Sequence, residues 1–356
     1  MKRATGIAIP VVAALAVMGW LALRPAPEAD PAPTDAAPAA TVGTAPMAAG
    51  PGPAASKPAP VIPARGTPAS IPAPSLFNEY LQARQYRAIY DRLRNSAAGE
   101  TAEGRLVMWE ILRNCATITE GRRYVYRPNV PRREDFLAGL APADPHREAR
   151  IAAYDELTAN RCAGFEGVAV TQSELDRVLA SAAAAGDPRA RALALEQELW
   201  MQRRSQGRDS VALSDSHLDT LRQLAGTKDP EAIRVAGRVM SNIWADTALR
   251  IGPDQQPVEQ RAFMNAWLVL ACEFGQPCGP ETPRMQQACA LQGHCAAQSY
   301  PDHLYYYGST PHDSQMLAQY RTLLRNAIET GDWSQFSVLR GLPTPSARIN
   351  FVPGPR

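Results

Sequence analysis

Hydrophobic residues of this chain recur at helical spacing from about Leu76 onward. Apolar side chains three and four positions apart share one face of an α-helix, which can then pack against a neighbour. Five stretches show such a stripe, and they begin at Leu175, Leu218, Ala232, Phe263 and Leu317. Strand-like alternation is nearly absent, with 124–126 as the only short candidate. The pattern predicts an all-α domain.

Asp-Pro pairs stand at expected helix starts with nearly constant spacing. They begin at Asp144, Asp187 and Asp229, which are 43 and 42 residues apart. An Asp before a helix accepts hydrogen bonds from the first N–H groups, and Pro suits the first helical position. A further step of 43 residues back reaches Thr101, where we expect a helix that ends at Cys115. The spacing predicts antiparallel helical hairpins stacked as a repeat-like bundle or solenoid; ordinary helix starts in an irregular bundle are the alternative.

Two segments resemble the turns of tetratricopeptide and Sel1-like helical hairpins. They are AAAAGDPRARALALEQ at 182–197 and AIETGDWSQF at 327–336. The spacing of 42–43 residues is longer than the repeats of those families. The resemblance implies a curved stack of helix pairs with a concave binding face.

The N-terminus carries an uncharged run of 19 residues, 5–23, preceded by Lys2 and Arg3. At about 1.5 Å per residue a helix of this length spans about 28 Å, close to the hydrocarbon thickness of a bilayer. The preceding charges favour a cytoplasmic N-terminus, and no small-residue cleavage site follows closely. We therefore expect residues 1–24 to form a cytoplasmic tip and an uncleaved anchor in the bacterial inner membrane. A cleaved signal peptide is the alternative.

The next segment, 25–75, holds 14 of the 32 prolines. Its composition buries too little apolar surface to offset chain entropy, so it predicts a disordered linker. Fully extended, it would reach about 150 Å at about 3.1 Å per residue. The all-α periplasmic domain is expected at 76–340, with a cysteine-rich part at 271–296 and an extended C-terminal tail at 341–356.

The balance of charged residues limits the kinds of partner that this chain can bind. The chain has 37 Lys+Arg and 35 Asp+Glu, for a net charge of +2, and the residues from 76 onward carry 32 of each sign. That balance excludes a nucleic-acid binder driven by bulk positive charge. Only three of the basic residues are Lys, and Arg offers the planar, bidentate pairing that Lys lacks.

All six cysteines follow the expected anchor, and an even number in an exported domain favours disulfides. Cys115 and Cys162 end successive helices of the expected repeat, so stacking predicts a bridge between them. The last four form C-x5-C-x10-C-x5-C, and each pair begins at a helix end with a Gly suited to a cap. We expect the local bridges Cys272–Cys278 and Cys289–Cys295. Zinc is the rival interpretation, although x5 exceeds the usual ligand gap.

The sequence contains none of the familiar nucleotide, metal, protease or hydrolase motifs. We therefore expect no cofactor and no metal, and we assign no catalytic residue. His294, His303 and His312 are evenly spaced, but their gaps match no helix face, so we interpret them as loop or surface residues. The 35 acidic residues show no distinctive pair for glycoside cleavage.

Two patches are candidate binding surfaces. The segment 121–133 contains five Arg and no acid, and predicts a loop that binds an anionic glycan, a lipid head group or an acidic partner. Three consecutive tyrosines farther along cannot all face one core, so one or more should be exposed for a partner. Pairing with flanking Glu residues and core packing are the respective alternatives. The candidate residues are Arg122, Arg123, Tyr124, Tyr126, Arg127, Tyr305, Tyr306 and Tyr307.

Together these patterns predict a single-pass inner-membrane protein whose periplasmic domain is a binding or scaffolding module. Its expected partner is a protein or an anionic component such as peptidoglycan. The alternative is a peptidoglycan-acting enzyme of the cell envelope with acidic catalytic residues. A face lined by Arg and Tyr would favour binding, whereas a pocket with two converging carboxylates or a His pair would favour the enzyme.

Overall fold

A computed structural model of the chain describes residues 75–119, 130–207, 210–242, 244–245 and 247–341. Most of these residues are helical, as the apolar stripes predict. The first seven helices are α1 (Leu76–Gln82), α2 (Tyr86–Arg94), α3 (Ala97–Glu100), α4 (Ala102–Cys115), α5 (Arg133–Gly139), α6 (Arg147–Asp155) and α7 (Gln172–Ala184). The next seven are α8 (Pro188–Gln206), α9 (Asp215–Gly226), α10 (Pro230–Met240), α11 (Gln260–Glu273), α12 (Pro283–Gln292), α13 (Tyr300–Asp302) and α14 (Pro311–Thr330). Two π-helical turns, Glu156–Asn160 and His303–Tyr307, directly follow α6 and α13.

The expected capping residues begin three of these helices. Asp187 and Asp229 each accept two backbone N–H groups at the starts of α8 and α10, with Pro at the next position. Thr101 caps α4, which ends at Cys115. Asp144 departs from the expectation, because α6 begins at Arg147. The Asp144 carboxylate instead accepts the backbone N–H of His146 at 2.8 Å and holds the turn before the helix.

The helices pack in a row in which α4 contacts α7, α7 contacts α8, α8 contacts α10, α10 contacts α11, and α11 contacts α14. Two main hydrophobic cores lie along this row, and α10 contributes side chains to both. Gly237 of α10 is buried against α11, where an added Cβ would collide with the side chain of Trp267. α6 packs on α12, which is remote from it in sequence.

Two small sheets, of two and three strands, add to the mostly helical domain that the sequence predicts. β1 (Thr117–Ile118) pairs in parallel with β2 (Ala169–Val170). β3 (Thr247–Ile251) pairs antiparallel with β4 (Gln256–Pro257) and with β5 (Phe336–Arg340), so β3 is central. Leu249 and Val338 pack on the core beside α11 and α14. The candidate strand at 124–126 lies outside the described residues.

All six cysteines are paired in the three bridges expected from the sequence. Cys115–Cys162 links the end of α4 to the segment after α6, with 5.2 Å between the Cα atoms. Cys272–Cys278 and Cys289–Cys295 join the ends of α11 and α12 to the turns that follow, with Cα separations of 5.8 Å and 4.2 Å. Gly293 ends α12 in the left-handed conformation expected of a helix cap.

Candidate functional site

A cavity of about 180 Å³ opens between α1, α4, α10 and the start of α12. It is lined by four arginines and two glutamates, and we call it the arginine cleft. The defining residues are Arg113, Arg234, Arg238, Arg284, Glu110 and Glu231. The rest of its wall combines apolar side chains of α1 and of the turn after α11 with polar ones such as Asn114, Gln276 and Thr282.

Helical spacing places these charges together. Glu231, Arg234 and Arg238 lie three and four residues apart, so they share one face of α10. Glu110 and Arg113 are three residues apart on α4. The cap at Asp229 fixes where α10 begins and therefore which of its residues face the cleft. Glu110 and Glu231 are each only 2–3% exposed, so their charges require partners.

Every one of these carboxylates is held by an arginine. Burial acts to raise the pKa of Glu231, but the adjacent Arg234 more than compensates, and its pKa lies below the ordinary value. Glu231 is therefore ionised at neutral pH and is not a proton donor. The ion pairs are Arg113–Glu110, Arg234–Glu231 and Arg238–Glu196.

Arg284 differs from the other three arginines of the cleft. Its Nη1 is buried and has no hydrogen-bond partner, and no carboxylate of the described residues lies within ion-pair distance. The guanidinium carbon lies 5.4 Å from the ring centroid of Tyr300. Burial, followed by repulsion from Arg234, lowers the pKa of Arg284 to about 10. The group stays positively charged at neutral pH, so the cleft holds a cation without an anion.

Gln276 supplies a second unpaired atom. Its side chain is 7% exposed and lines the cleft. Nε2 donates to Glu231 Oε2 at 3.1 Å, while Oε1 is buried without a donor. A buried polar atom left unpaired costs about 1–3 kcal/mol. Both Arg284 and Gln276 therefore line the cleft, and each carries a buried polar atom without a partner, a cationic donor in one and an acceptor in the other.

A larger cavity of about 370 Å³ lies beside the Cys289–Cys295 bridge, and we call it the histidine cavity. Its polar lining includes Glu156, Glu281 and His294. Glu156 Oε1 is buried without a hydrogen-bond donor. The π-helical turn that starts at Glu156 places this carboxylate at the wall, and such turns often occur at functional sites.

A histidine pair stands at the edge of this cavity. Nδ1 of His294 and Nδ1 of His303 are 3.2 Å apart, so one donates to the other. Burial lowers the pKa of both rings. His312 is not part of this group, since its Nε2 lies 2.8 Å from Glu259. Within the described residues no three His, Cys, Asp or Glu side chains come together as a metal site.

The residues predicted from the sequence as binding contacts fall in two places. Arg122, Arg123, Tyr124, Tyr126 and Arg127 lie outside the described residues. The tyrosines of the second patch lie in the π-helical turn after α13, where the ring of one contacts His294 at 5.4 Å. Tyr305 is partly buried, Tyr306 is 79% exposed and Tyr307 is 42% exposed. This patch therefore borders the histidine cavity and contributes nothing to the lining of the arginine cleft.

Sequence reasoning missed the arginine cleft. A charged pair three residues apart on a helix is usually a solvated pair, and Glu231 with Arg234 fits that description. The usable signal was that both residues interrupt a helix whose other positions are nearly all apolar. Arg284 and Gln276 carry no such signal, because they stand among loop and helix-start residues.

Comparisons with protein-family models, with curated proteins and with solved structures find no match to this chain. In the part of the chain described, no helix is both long and apolar enough to cross a bilayer. The expected anchor at 5–23 and linker at 25–75 lie outside that part.

Proposed function

We propose that this protein is a membrane-tethered binding module of the bacterial cell envelope. Residues 5–23 anchor it in the inner membrane, and residues 25–75 carry its helical domain into the periplasm. There it recognises an anionic envelope component through the arginine cleft. The stacked hairpins provide a rigid scaffold for that cleft.

One observation carries this proposal: the buried Nη1 of Arg284 has no hydrogen-bond partner. The other arginines of the cleft are satisfied by glutamates, so an incoming anion would meet one uncompensated positive charge. Arg pairs with carboxylate and phosphate in a fixed fork geometry. An anion bound there would remove an electrostatic penalty as well as add hydrogen bonds.

The ion pairs of Glu110 and Glu231 with arginines favour a binding site over a catalytic one. A general acid at neutral pH needs a raised pKa, whereas Arg234 keeps the pKa of Glu231 low. Glu110 is likewise engaged by Arg113 at 2.8 Å and by the hydroxyl of Tyr80 at 3.4 Å. Both acids hold arginines in place, which is a positioning role.

Three disulfides support export, because such bridges form and persist in oxidising compartments. The anchor follows from the uncharged run and the positive charges before it. Alkaline phosphatase fused after Arg356 should be active and stay with carbonate-washed membranes. Release of a soluble fusion that begins within 25–45 would overturn the tether.

The test of recognition uses purified peptidoglycan sacculi and the full-length chain in detergent. Wild type should sediment with sacculi, and added salt should weaken binding because charge is involved. Arg284→Met should lose at least about tenfold in affinity, as expected for about 1.4 kcal/mol or more. Arg94→Met is the matched control, since Arg94 is exposed at the end of α2. Equal sedimentation of both variants would overturn the role of the cleft.

The enzyme alternative has favourable observations of its own, one of which is the pair of His294 and His303 at the edge of the histidine cavity. Glu156, with an unpaired buried oxygen, and His294 line the same cavity, and such groups can act in proton transfer. If the protein cleaves peptidoglycan, Glu156→Gln should abolish release of soluble fragments. Absence of cleavage by wild type would reject this alternative.

A further inference from the structure

The two unpaired atoms of the arginine cleft define complementary demands on a ligand. Arg284 Nη1 is a buried donor, and Gln276 Oε1 is a buried acceptor. Their roles are not interchangeable. If the Gln276 amide were flipped, its oxygen would face the Glu231 carboxylate, which has no proton to donate. The hydrogen bond from Nε2 to Glu231 therefore fixes Oε1 as the atom left without a partner.

A ligand that satisfies both atoms must offer an anionic acceptor and a nearby hydrogen-bond donor. A fully ionised small anion such as acetate has only acceptors. The last residue of a peptide has both, namely its carboxylate and its own amide N–H. Other peptide-binding sites also recognise a free C-terminal carboxylate, which they hold by backbone N–H groups.

Charge and volume also favour a peptide end over a phosphate group. Arg113, Arg234 and Arg238 are each compensated by a glutamate, so a single positive charge is left for the ligand. One carboxylate matches one charge, whereas a dianionic phosphate exceeds it. The cavity has a volume of about 180 Å³, which is smaller than the roughly 300–1,000 Å³ of sites for drug-sized ligands. That room suits a terminal residue and not a folded segment.

Apolar residues stand where a side chain of the ligand would lie. Phe77 and Leu81 of α1 and Pro277 of the turn after α11 line the same cleft. Ligand sites of this kind are mostly apolar, with a few polar atoms that fix orientation. The wall favours a small apolar side chain on the terminal residue.

We infer that the arginine cleft binds the C-terminal residue of a peptide, with its carboxylate at Arg284 and its amide N–H at Gln276 Oε1. This inference rests on the anion binding proposed above and names the class of ligand. Recognition then requires a free chain end, which excludes internal acidic side chains as the primary ligand.

Titration calorimetry on the full-length chain tests it with three related probes and inorganic phosphate. The probes are acetyl-Ala-Ala with a free carboxylate, the same peptide as its C-terminal amide, and the free acid N-methylated at the last residue. Each is made in the L and the D series, because the two hydrogen-bonding atoms select no enantiomer. We expect the free acid of one series to bind and both modified forms to bind at least about tenfold more weakly.

The outcomes separate the two proposals. Equal binding of the N-methylated acid would overturn the assigned role of Gln276. Binding of phosphate without any peptide would overturn the peptide inference and leave anion recognition standing. Failure of every probe, with sacculus sedimentation unaffected by Arg284→Met, would overturn both. The chemical changes lie in the ligand, so the comparison holds whether or not variants of the cleft fold.

Discussion

Replacing Arg284 with Met should stabilise the ligand-free protein. Burial lowers the pKa of Arg284 from its ordinary value to about 10. At about 1.4 kcal/mol per pH unit, that difference corresponds to about 3 kcal/mol by which the charge destabilises the folded state. Because this is a base with a lowered pKa, the penalty is fully present at neutral pH and is relieved only as pH rises through about 10. Met removes the charge and keeps a side chain of similar length and helix propensity.

Opposing contributions reduce the expected gain. The contact between the guanidinium and the Tyr300 ring at 5.4 Å contributes about 1 kcal/mol to the wild type. Repacking of the neighbouring side chains around the Met thioether costs less than about 1 kcal/mol more. The net expectation is a gain of about 1–2 kcal/mol in the free energy of unfolding. Most substitutions at buried positions lower stability, so the sign alone makes the prediction specific.

The assay is urea unfolding of oxidised wild type, Arg284→Met and Arg94→Met, with and without the probe that binds. Without ligand, Arg284→Met should unfold at higher urea, while Arg94→Met should match wild type. With ligand at about 100 times the wild-type dissociation constant, wild type should gain about 2.7 kcal/mol, and Arg284→Met, which binds at least about tenfold more weakly, should gain about 1.4 kcal/mol at most. A ligand-free Arg284→Met that is less stable than wild type would refute the claim that this charge is uncompensated.

The remaining predictions concern packing, bridges and pH. Gly237→Ala should destabilise the folded protein by about 1–2 kcal/mol, because overpacking against α11 outweighs the helix propensity of Ala. Gly226→Ala is the control, and it should be neutral or stabilising because the space around Gly226 is open. Equal urea midpoints for the two variants would contradict the close approach of Gly237 to α11. Replacing Cys115 and Cys162 with Ala should cost about 4 kcal/mol, given a separation of 47 residues, and an unchanged midpoint would argue against that bridge. Burial lowers the pKa of His303 below its ordinary value, so the unfolded chain binds this proton first and stability falls as the pH drops below about 6.5. His303→Gln should flatten that fall, and an unchanged slope would refute the assignment.

Helices were predictable because their signals are local. The stripes that begin at Leu175, Leu218 and Ala232 fall within α7, α9 and α10, since each needs only its own residues to define a buried face. The caps at Asp187 and Asp229 are equally local, because side chain and N–H groups lie within three residues.

The sheet was not predictable in the same way. β3 and β5 present only two core-facing positions each, so the alternation is too short to stand out. Their pairing joins Ile251 to Phe336, a contact that no local pattern encodes. Whether such short segments form strands depends on tertiary pairing, and the strand propensity of their residues is a weak guide.

The arginine cleft was missed for a third reason, which is the position of α10 in the fold. An apolar stripe identifies one buried face, but α10 is covered by neighbours on more than one side and contributes to both cores. Glu231 lies on the face of α10 that the sequence pattern assigns to solvent, yet it is only 2% exposed. Burial of a charged face follows from the stacking of helices, which residue periodicity does not report.

Most charged groups around the unpaired atoms of the cleft are satisfied. Caps, apolar stripes and ion pairs around them each satisfy their local requirements, including the three glutamates that neutralise three arginines. Arg284 and Gln276 each carry a buried polar atom without a partner, and both residues line the same cavity. A ligand that carries an acceptor and a donor accounts for both at once, and it explains why the side chain that weakens the empty protein is the one that should hold the ligand.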